Sequence, residues 1–355
     1  MKQPVSEAVL KVEDLRVHYE TPQGPVKAVD GVSFELRPGE RMGLIGESGS
    51  GKTTMATAIM RLIRPPGRIV GGRVLLGGRD LLSMSDLEIR QVRLKEIALV
   101  PQAAMNSLNP VMRIGHQIVD AIVAHEARLS TQQMRDRVEQ ALVQVGLPTQ
   151  VAARFPHQLS GGMKQRAVMA IAISLQPRVI VADEPTSALD VVVQRQVMVT
   201  LGRVQAGLNA AVILIGHDMG LIAQFADIVG VLYAGRLVEY GSIDDILENP
   251  KHPYTRLLID SLPNLEAKRE LRGIPGLPPA LLNLPEGCPF NARCPFAFER
   301  CRTETPAIQE VAPGRRVACH IYPEQTDLPP VPQRLMATEQ INLRSNAPTT
   351  REVAS

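Results

Sequence analysis

At 355 residues the chain has room for about two domains and a sizeable buried core. Its composition is that of an ordinary globular protein, 45% hydrophobic and 21% charged with a net charge of +3, too mild a balance to argue for nucleic acid. An aromatic content of 3% with no Trp leaves base-stacking surfaces and membrane-interface belts poorly supplied.

No apolar run approaches the ~20 residues of a membrane span; the best candidate, Ala167 to Leu175, stops at Gln176-Pro177. The start, MKQPVSEAVLKVEDL, has no long apolar stretch behind its Lys and is not a secretory signal. The chain is therefore expected in the cytosol, reaching a membrane only through a partner that spans it.

Residues 10–40 alternate apolar and polar positions between Pro/Gly breaks, which predicts antiparallel strands. Arg41 to Ile45 reads as a short buried strand running into a glycine-rich turn, and Thr53 to Ile63 as a helix halted before Pro65-Pro66. Further strands and one helix fill 69–100, closing on IALV, and 114–150 is helical in pattern. Ser160 to Leu175 predicts a helix, VIVA at 179–182 a buried strand, 190–207 a helix, AVILIG another strand, and a helix follows Asp218. Strands alternating with helices imply parallel pairing in a three-layer α/β core. Residues 227–241 read as a hairpin turning at Ala234-Gly235, and beyond Pro263 the chain becomes Pro-rich and linker-like. A compact Cys-containing segment follows at about 285–322, and the last residues carry few large hydrophobes, the composition of a disordered tail.

GESGSGKTT at 46–54 fits the phosphate-loop pattern at Gly46, Gly51, Lys52 and Thr53, with Ser48, Gly49, Ser50 and Thr54 completing the loop. Wrapping a phosphate chain in backbone N–H groups needs residues without a Cβ. Lys52 then supplies a point charge to the β/γ-phosphates, Thr53 a hydroxyl to Mg²⁺, and the helix N-terminus a favourable dipole. Downstream, VIVADE ends a buried strand in two acids, so a cation or a reacting water is expected there. Asp183 is the Mg²⁺-side acid of this reading, and Glu184 the group that polarises the water attacking the γ-phosphate.

Leu159, Ser160, Gly161, Gly162 and Met163 (LSGGM) open a helix shortly before that strand. A serine hydroxyl and bare N–H groups at a helix start form a second anion-binding nest. With these motifs in this order, the sequence resembles the ATP-binding cassette (ABC) family over about residues 10–245. Met163 stands where the family signature has Gln. The resemblance implies an α/β P-loop NTPase core with an antiparallel β subdomain and a helical signature subdomain, about 103–170, and ATP with Mg²⁺ as cofactors. It implies a pair of cassettes, each nucleotide lying between the phosphate loop of one and the signature of the other. It also makes Tyr19 the residue that stacks on adenine, and Gln102 a Mg²⁺ contact linked to the membrane partner. Ser187, Ala188, Leu189 and Asp190 become the segment crossing the dimer interface, and His217 the switch that reaches the γ-phosphate.

NPKHPYTRLLIDSLP at 249–263, AAMNSLNP after Gln102 and the segment GCPFNARCPFAFERC…VACH are similar to the oligopeptide/dipeptide/nickel importer group. The resulting partition is a nucleotide-binding domain at 1–262, a small Cys-rich C-terminal extension at 263–325 and a tail at 326–355. The group implies a second, non-identical ATPase, two membrane-spanning permease chains and an extracytoplasmic solute-binding protein, with this chain on the cytoplasmic face of the membrane. Cys288, Cys294, Cys301 and Cys319 form a clustered set that reads first as metal ligands in a reducing compartment. Four thiolates suit tetrahedral Zn²⁺ or a 4Fe-4S cluster, the spacing also allows no metal at all, and the resemblance favours the cluster. A ribosome- or DNA-associated ATPase fits less well, because the chain has one cassette and no sustained heptads between Lys52 and Ser160.

Overall fold

Strand pairing divides the chain into two sheets in this computed structural model, which describes residues 7–102, 107–126, 128–187, 189–261, 273–322 and 324–329. The N-terminal part runs β1 (Leu10–Thr21), β2 (Gly24–Leu36), β3 (Arg41–Ile45), α1 (Lys52–Ile59), β4 (Gly67–Leu76), β5 (Arg79–Asp80), α2 (Asp86–Val92) and β6 (Ile97–Val100). Next come α3 (Ile114–Val123), α4 (Thr131–Gln144) and α5 (Gly161–Ile173). The α/β core continues with β7 (Val179–Asp183), α6 (Val191–Leu208), β8 (Ala211–Ile215), α7 (Met219–Phe225), β9 (Ile228–Tyr233) and β10 (Arg236–Ser242). Finally α8 (Ile243–Glu248) and α9 (Pro253–Asp260) lead to α10 (Glu299–Thr303) and the hairpin β11 (Gln309–Ala312)–β12 (Arg315–Val317).

The first sheet is antiparallel, in the order β2-β1-β4-β5. Leu10, Val12, Leu15 and Val17 of β1 are all buried although Val12 and Leu15 break the two-residue alternation. A bulge at Asp14, φ 46°, inserts the extra residue that returns Leu15 to the core face. The second sheet has the order β11-β12-β10-β9-β3-β8-β7-β6, with β9, β3, β8, β7 and β6 parallel. Its central strands are buried on both faces. Val179 and Val181 of β7 join the core shared with α1 and the antiparallel sheet, while Ile180 and Ala182 face the core of α3–α7.

Helix ends follow local chemistry. Ser85 with Glu88 and Ser130 with Gln133 form capping boxes for α2 and α4, and the hydroxyl of Ser242 caps α8. The helix expected over Thr53–Ile63 stops at Ile59, because Arg61 turns left-handed (φ 51°) and Leu62 N–H bonds back to Thr57 O at 2.7 Å. The hairpin at Ala234-Gly235 forms as expected, both residues at positive φ.

The sequence did not reveal that the Cys-containing segment extends the central sheet, β12 pairing with β10 through Glu239–Val317 and Tyr240–Arg316. Thr326 and Asp327 are tied to Lys251 through its ammonium group. Of the tail at 326–355, everything beyond 329 lies outside the described residues. Among the described residues no helix is long and apolar enough to cross a membrane.

Candidate active site

The phosphate loop leaves β3 and enters α1. Gly46 (φ 150°) and Gly51 (φ 102°) are obligatory, since a Cβ would lie 2.2 Å from Leu232 O and 2.1 Å from Ala28 O. Gly49 (φ 78°) differs: nothing lies within 4 Å of where its Cβ would be, so the open side of the loop is there, with Ser48 also exposed. Ser50 is buried and its carbonyl accepts from Gly235 N–H at 3.0 Å, fixing the loop to the β9–β10 turn.

Lys52 is buried and donates to the carbonyls of Gly46 (2.7 Å) and Glu47 (2.9 Å). Burial draws its pKa below the ordinary lysine value, opposed by the charges of Glu184, Asp183 and Glu47. Thr53, next in the helix, donates its hydroxyl to Asp183 at 3.2 Å, and Thr54 is half-buried behind it. Burial pushes the Asp183 carboxyl up, a strain that a cation would relieve.

Gln102, Glu184 and His217 come together past the C-terminal ends of β6, β7 and β8. The Glu184 carboxylate accepts from Gln102 Nε2 at 2.9 Å and lies 3.5 Å from His217 Nδ1. Glu184 itself is left-handed, φ 44°, a conformation that costs on the order of 1–3 kcal/mol for a non-glycine residue. Ser187 holds the turn that follows, its hydroxyl donating to Glu184 O at 3.0 Å. Asp190 caps α6 by accepting from Val193 N–H at 3.0 Å, and Leu189 is half-buried between them. Ala188 lies outside the described residues.

The second anion nest opens α5. Ser160 is exposed and accepts Met163 N–H at 3.3 Å, with Leu159 buried behind it. Gly161 is half-exposed. Gly162 is needed for packing, because a Cβ there would come 2.5 Å from Val193 Cγ1 of α6. Tyr19 on β1 stands apart from the Gln102–Glu184–His217 group; its ring edge lies against Gly67, where a Cβ would meet Cε1 at 2.7 Å.

Two side chains that sequence reasoning missed also touch the phosphate loop. Tyr254 Oη accepts from Glu47 N–H at 2.8 Å, and Arg293 pairs with the Glu47 carboxylate at 2.6 and 2.8 Å. The only signal was an acid inside the loop motif with no partner nearby in sequence.

Cys288, Cys294, Cys301 and Cys319 are free thiols lining one small pocket with His252, Phe290 and Phe296. Burial pushes the Cys288 thiol up to about 11 and those of Cys294 and Cys319 to about 12. The expected ligands are thus gathered around one space. Among the described residues, however, no group of three or more His, Cys, Asp or Glu side chains is placed to hold a single metal ion. His320, beside Cys319, is engaged instead with Glu304 O at 2.8 Å.

A glycine loop at a helix start, a Thr–Asp pair, and a glutamate flanked by glutamine and histidine at parallel strand ends define a P-loop nucleotide-hydrolysing cassette. Residues 29–187 match the ABC transporter family, and residues 238–301 match the oligopeptide/dipeptide transporter C-terminal region. The dipeptide transport ATP-binding protein DppD of Caldanaerobacter subterraneus subsp. tengcongensis is 44% identical over 89% of this chain and 98% of its own length. The oligopeptide transport ATP-binding protein OppD of Escherichia coli is 42% identical over 90% of this chain and 95% of its own. Among solved structures, a dimeric ATP-binding cassette in a post-hydrolysis state with ADP and Pi superposes with a TM-score of 0.59, at 26% identity over 66% of this chain and 98% of that one. The chain belongs to the ABC transporter family, as an ATP-hydrolysing subunit with the oligopeptide/dipeptide-type C-terminal region.

Proposed function

We propose that this cassette powers peptide import, docked on the cytoplasmic face of a membrane against two permease chains and served by an extracytoplasmic solute-binding protein. Peptide as the cargo is supported by the named activities of its relatives and by the matched C-terminal region. The observation that carries the motor mechanism is the placement of Gln102 and His217 on the Glu184 carboxylate.

In the proposed cycle the open face of the loop at Ser48 and Gly49 takes the phosphates, and Lys52 swings from the Gly46 and Glu47 carbonyls to the β/γ-phosphates. Thr53 and Asp183 are hard oxygen donors and fit Mg²⁺, which when bound neutralises charge on the phosphates. Glu184 polarises the attacking water, and His217 and Gln102 orient it and sense the γ-phosphate. The exposed Ser160 nest faces the nucleotide of a second ATPase subunit, Asp190 and its neighbours lie at that interface, and Tyr19 flanks the adenine. Reconstitution with the permease pair in vesicles tests this reading. Labelled di- and oligopeptides should accumulate only with ATP, and vesicles that hydrolyse ATP without accumulating peptide would remove the cargo assignment.

The cysteines carry a finer proposal. Among the described residues no three donors are placed to hold a single ion, and it is the resemblance to peptide-importer ATPases that favours a 4Fe-4S cluster over Zn²⁺. A 4Fe-4S cluster takes one thiolate at each iron, and the four cysteines line one small pocket. Cys288, Cys294, Cys301 and Cys319 would hold it as a structural cross-link outside the ATP site.

A further inference from the structure

Glu47 is an electrostatic anomaly. It sits one residue into a loop whose purpose is to surround a polyanion, and its carboxylate acts on Lys52. An unpaired carboxylate there would oppose the incoming phosphates and compete with them for the Lys52 ammonium.

The chain answers that charge from far away in sequence. Arg293, between Cys288 and Cys294, donates Nη1 and Nη2 to the two Glu47 oxygens at 2.6 and 2.8 Å, across 246 positions of sequence. This is the bidentate geometry that a lysine cannot reproduce. The guanidinium is fixed on its other sides. Its Nε donates to Pro275 O at 2.8 Å and Nη1 to Tyr233 Oη at 3.2 Å. It lies 5.8 Å from the Tyr233 ring centroid and 5.9 Å from that of Phe290. Only 4% of the Arg293 side chain is exposed.

The backbone of Glu47 is held as firmly. Its N–H donates to Tyr254 Oη at 2.8 Å and its carbonyl accepts from Lys52 at 2.9 Å, so the peptide planes on both sides of the residue are oriented. Tyr254 packs on Tyr233 at 4.6 Å between centroids, and Phe290 stands edge-on to both rings at 5.1 and 5.5 Å. One aromatic stack therefore joins the loop, the end of β9, α9 and the Cys-containing segment.

We infer that Arg293 is a positioning residue for ATP: it neutralises and orients Glu47, so the phosphate loop is completed by the C-terminal segment. The inference rests on the assignment of residues 46–54 as the ATP-phosphate site. Two consequences separate it from mere support of the fold. The benefit of Arg293 exists only while residue 47 is an acid, and it shrinks as salt screens the charge.

The test is a double-mutant cycle on the full-length protein, read by titration with a fluorescent ATP analogue and Mg²⁺ at low and high salt. Arg293→Met should weaken binding about tenfold in the natural background and have almost no effect in a Glu47→Gln background. The loss should be smaller at high salt. An equal loss in both backgrounds, or none in either, overturns the inference while leaving the ATP site intact. If Arg293→Met does not fold, Arg293→Lys read in the same two backgrounds decides the matter, through a smaller loss that again vanishes with Glu47→Gln. A wild-type chain that binds no analogue, or a Lys52→Ala chain that binds as well as wild type, overturns the loop assignment itself and this inference with it.

Discussion

The side-chain amide of Gln102 donates to the Glu184 carboxylate at 2.9 Å, bridging the ends of the neighbouring parallel strands β6 and β7. One residue ends the segment that leads into the helical subdomain, and the other follows the acidic strand. Glu184 is thus held from both sides, with His217 on its other oxygen at 3.5 Å.

Glu184→Gln keeps the side-chain volume and an oxygen that accepts from Gln102, so the loop and its ATP affinity should survive. What it removes is the carboxylate proposed to draw the proton from water. Phosphate release is expected to fall by roughly 10²–10⁴-fold while MgATP still binds, and the ATP-bound pair of cassettes should accumulate on size-exclusion chromatography. Turnover near wild type would contradict the role given to this residue.

Lys52→Ala removes a buried ammonium that now satisfies two loop carbonyls and would, with nucleotide, meet the β/γ-phosphates. Charge-assisted bonds of this kind are worth enough that affinity should drop roughly ten- to hundredfold. ATP should lose more than AMP, which lacks those phosphates. An equal loss for ATP and AMP would mean a collapsed loop instead.

Gly162 has no positive φ, so its requirement is steric alone: Val193 of α6 occupies the space a Cβ would need. Valine is stiff about χ1 and cannot swing aside cheaply. Gly162→Ala should destabilise the chain by about 1–3 kcal/mol in thermal or chemical unfolding and lower hydrolysis by displacing the Ser160 nest. Adding Val193→Ala should restore most of both. Failure of the second change to rescue the first would show that the glycine serves something other than this contact.

The phosphate loop was legible because its constraint is local. Its glycines must accept positive φ within a few residues of one another, and the strand before and helix after are written in the same stretch. Glu184 stood out as an acid at the end of a buried strand, whereas Gln102 and His217 were singled out only through the order of motifs. Parallel pairing of β6, β7 and β8 sets their C-terminal ends side by side, where open α/β sheets place their ligand sites. Arg293 on Glu47 left no signal beyond the acid inside the loop motif, and Val193 against Gly162 left none, since neither contact has a period or a fixed spacing. The junction of β12 with β10 was hidden for a related reason: a three-residue strand is too short to show alternation.

The four cysteines line one small pocket, and direct metal analysis distinguishes a cluster from a single ion. Protein purified without oxygen should be brown and carry iron and acid-labile sulfide in equal amounts. Cys301→Ser should reduce both and lower the unfolding temperature, because Cys301 is buried where Cys288 N–H bonds to its carbonyl at 2.8 Å. Colourless protein holding zinc would move the site to a single ion and require the sulfurs to close on one point. Protein with neither metal would make the segment an apolar plug of neutral thiols, consistent with the raised values at Cys288, Cys294 and Cys319. ATP affinity should fall with the state of this segment only as far as Arg293, between Cys288 and Cys294, loses its hold on Glu47, so a Cys301→Ser chain that keeps that pair should bind ATP as wild type does.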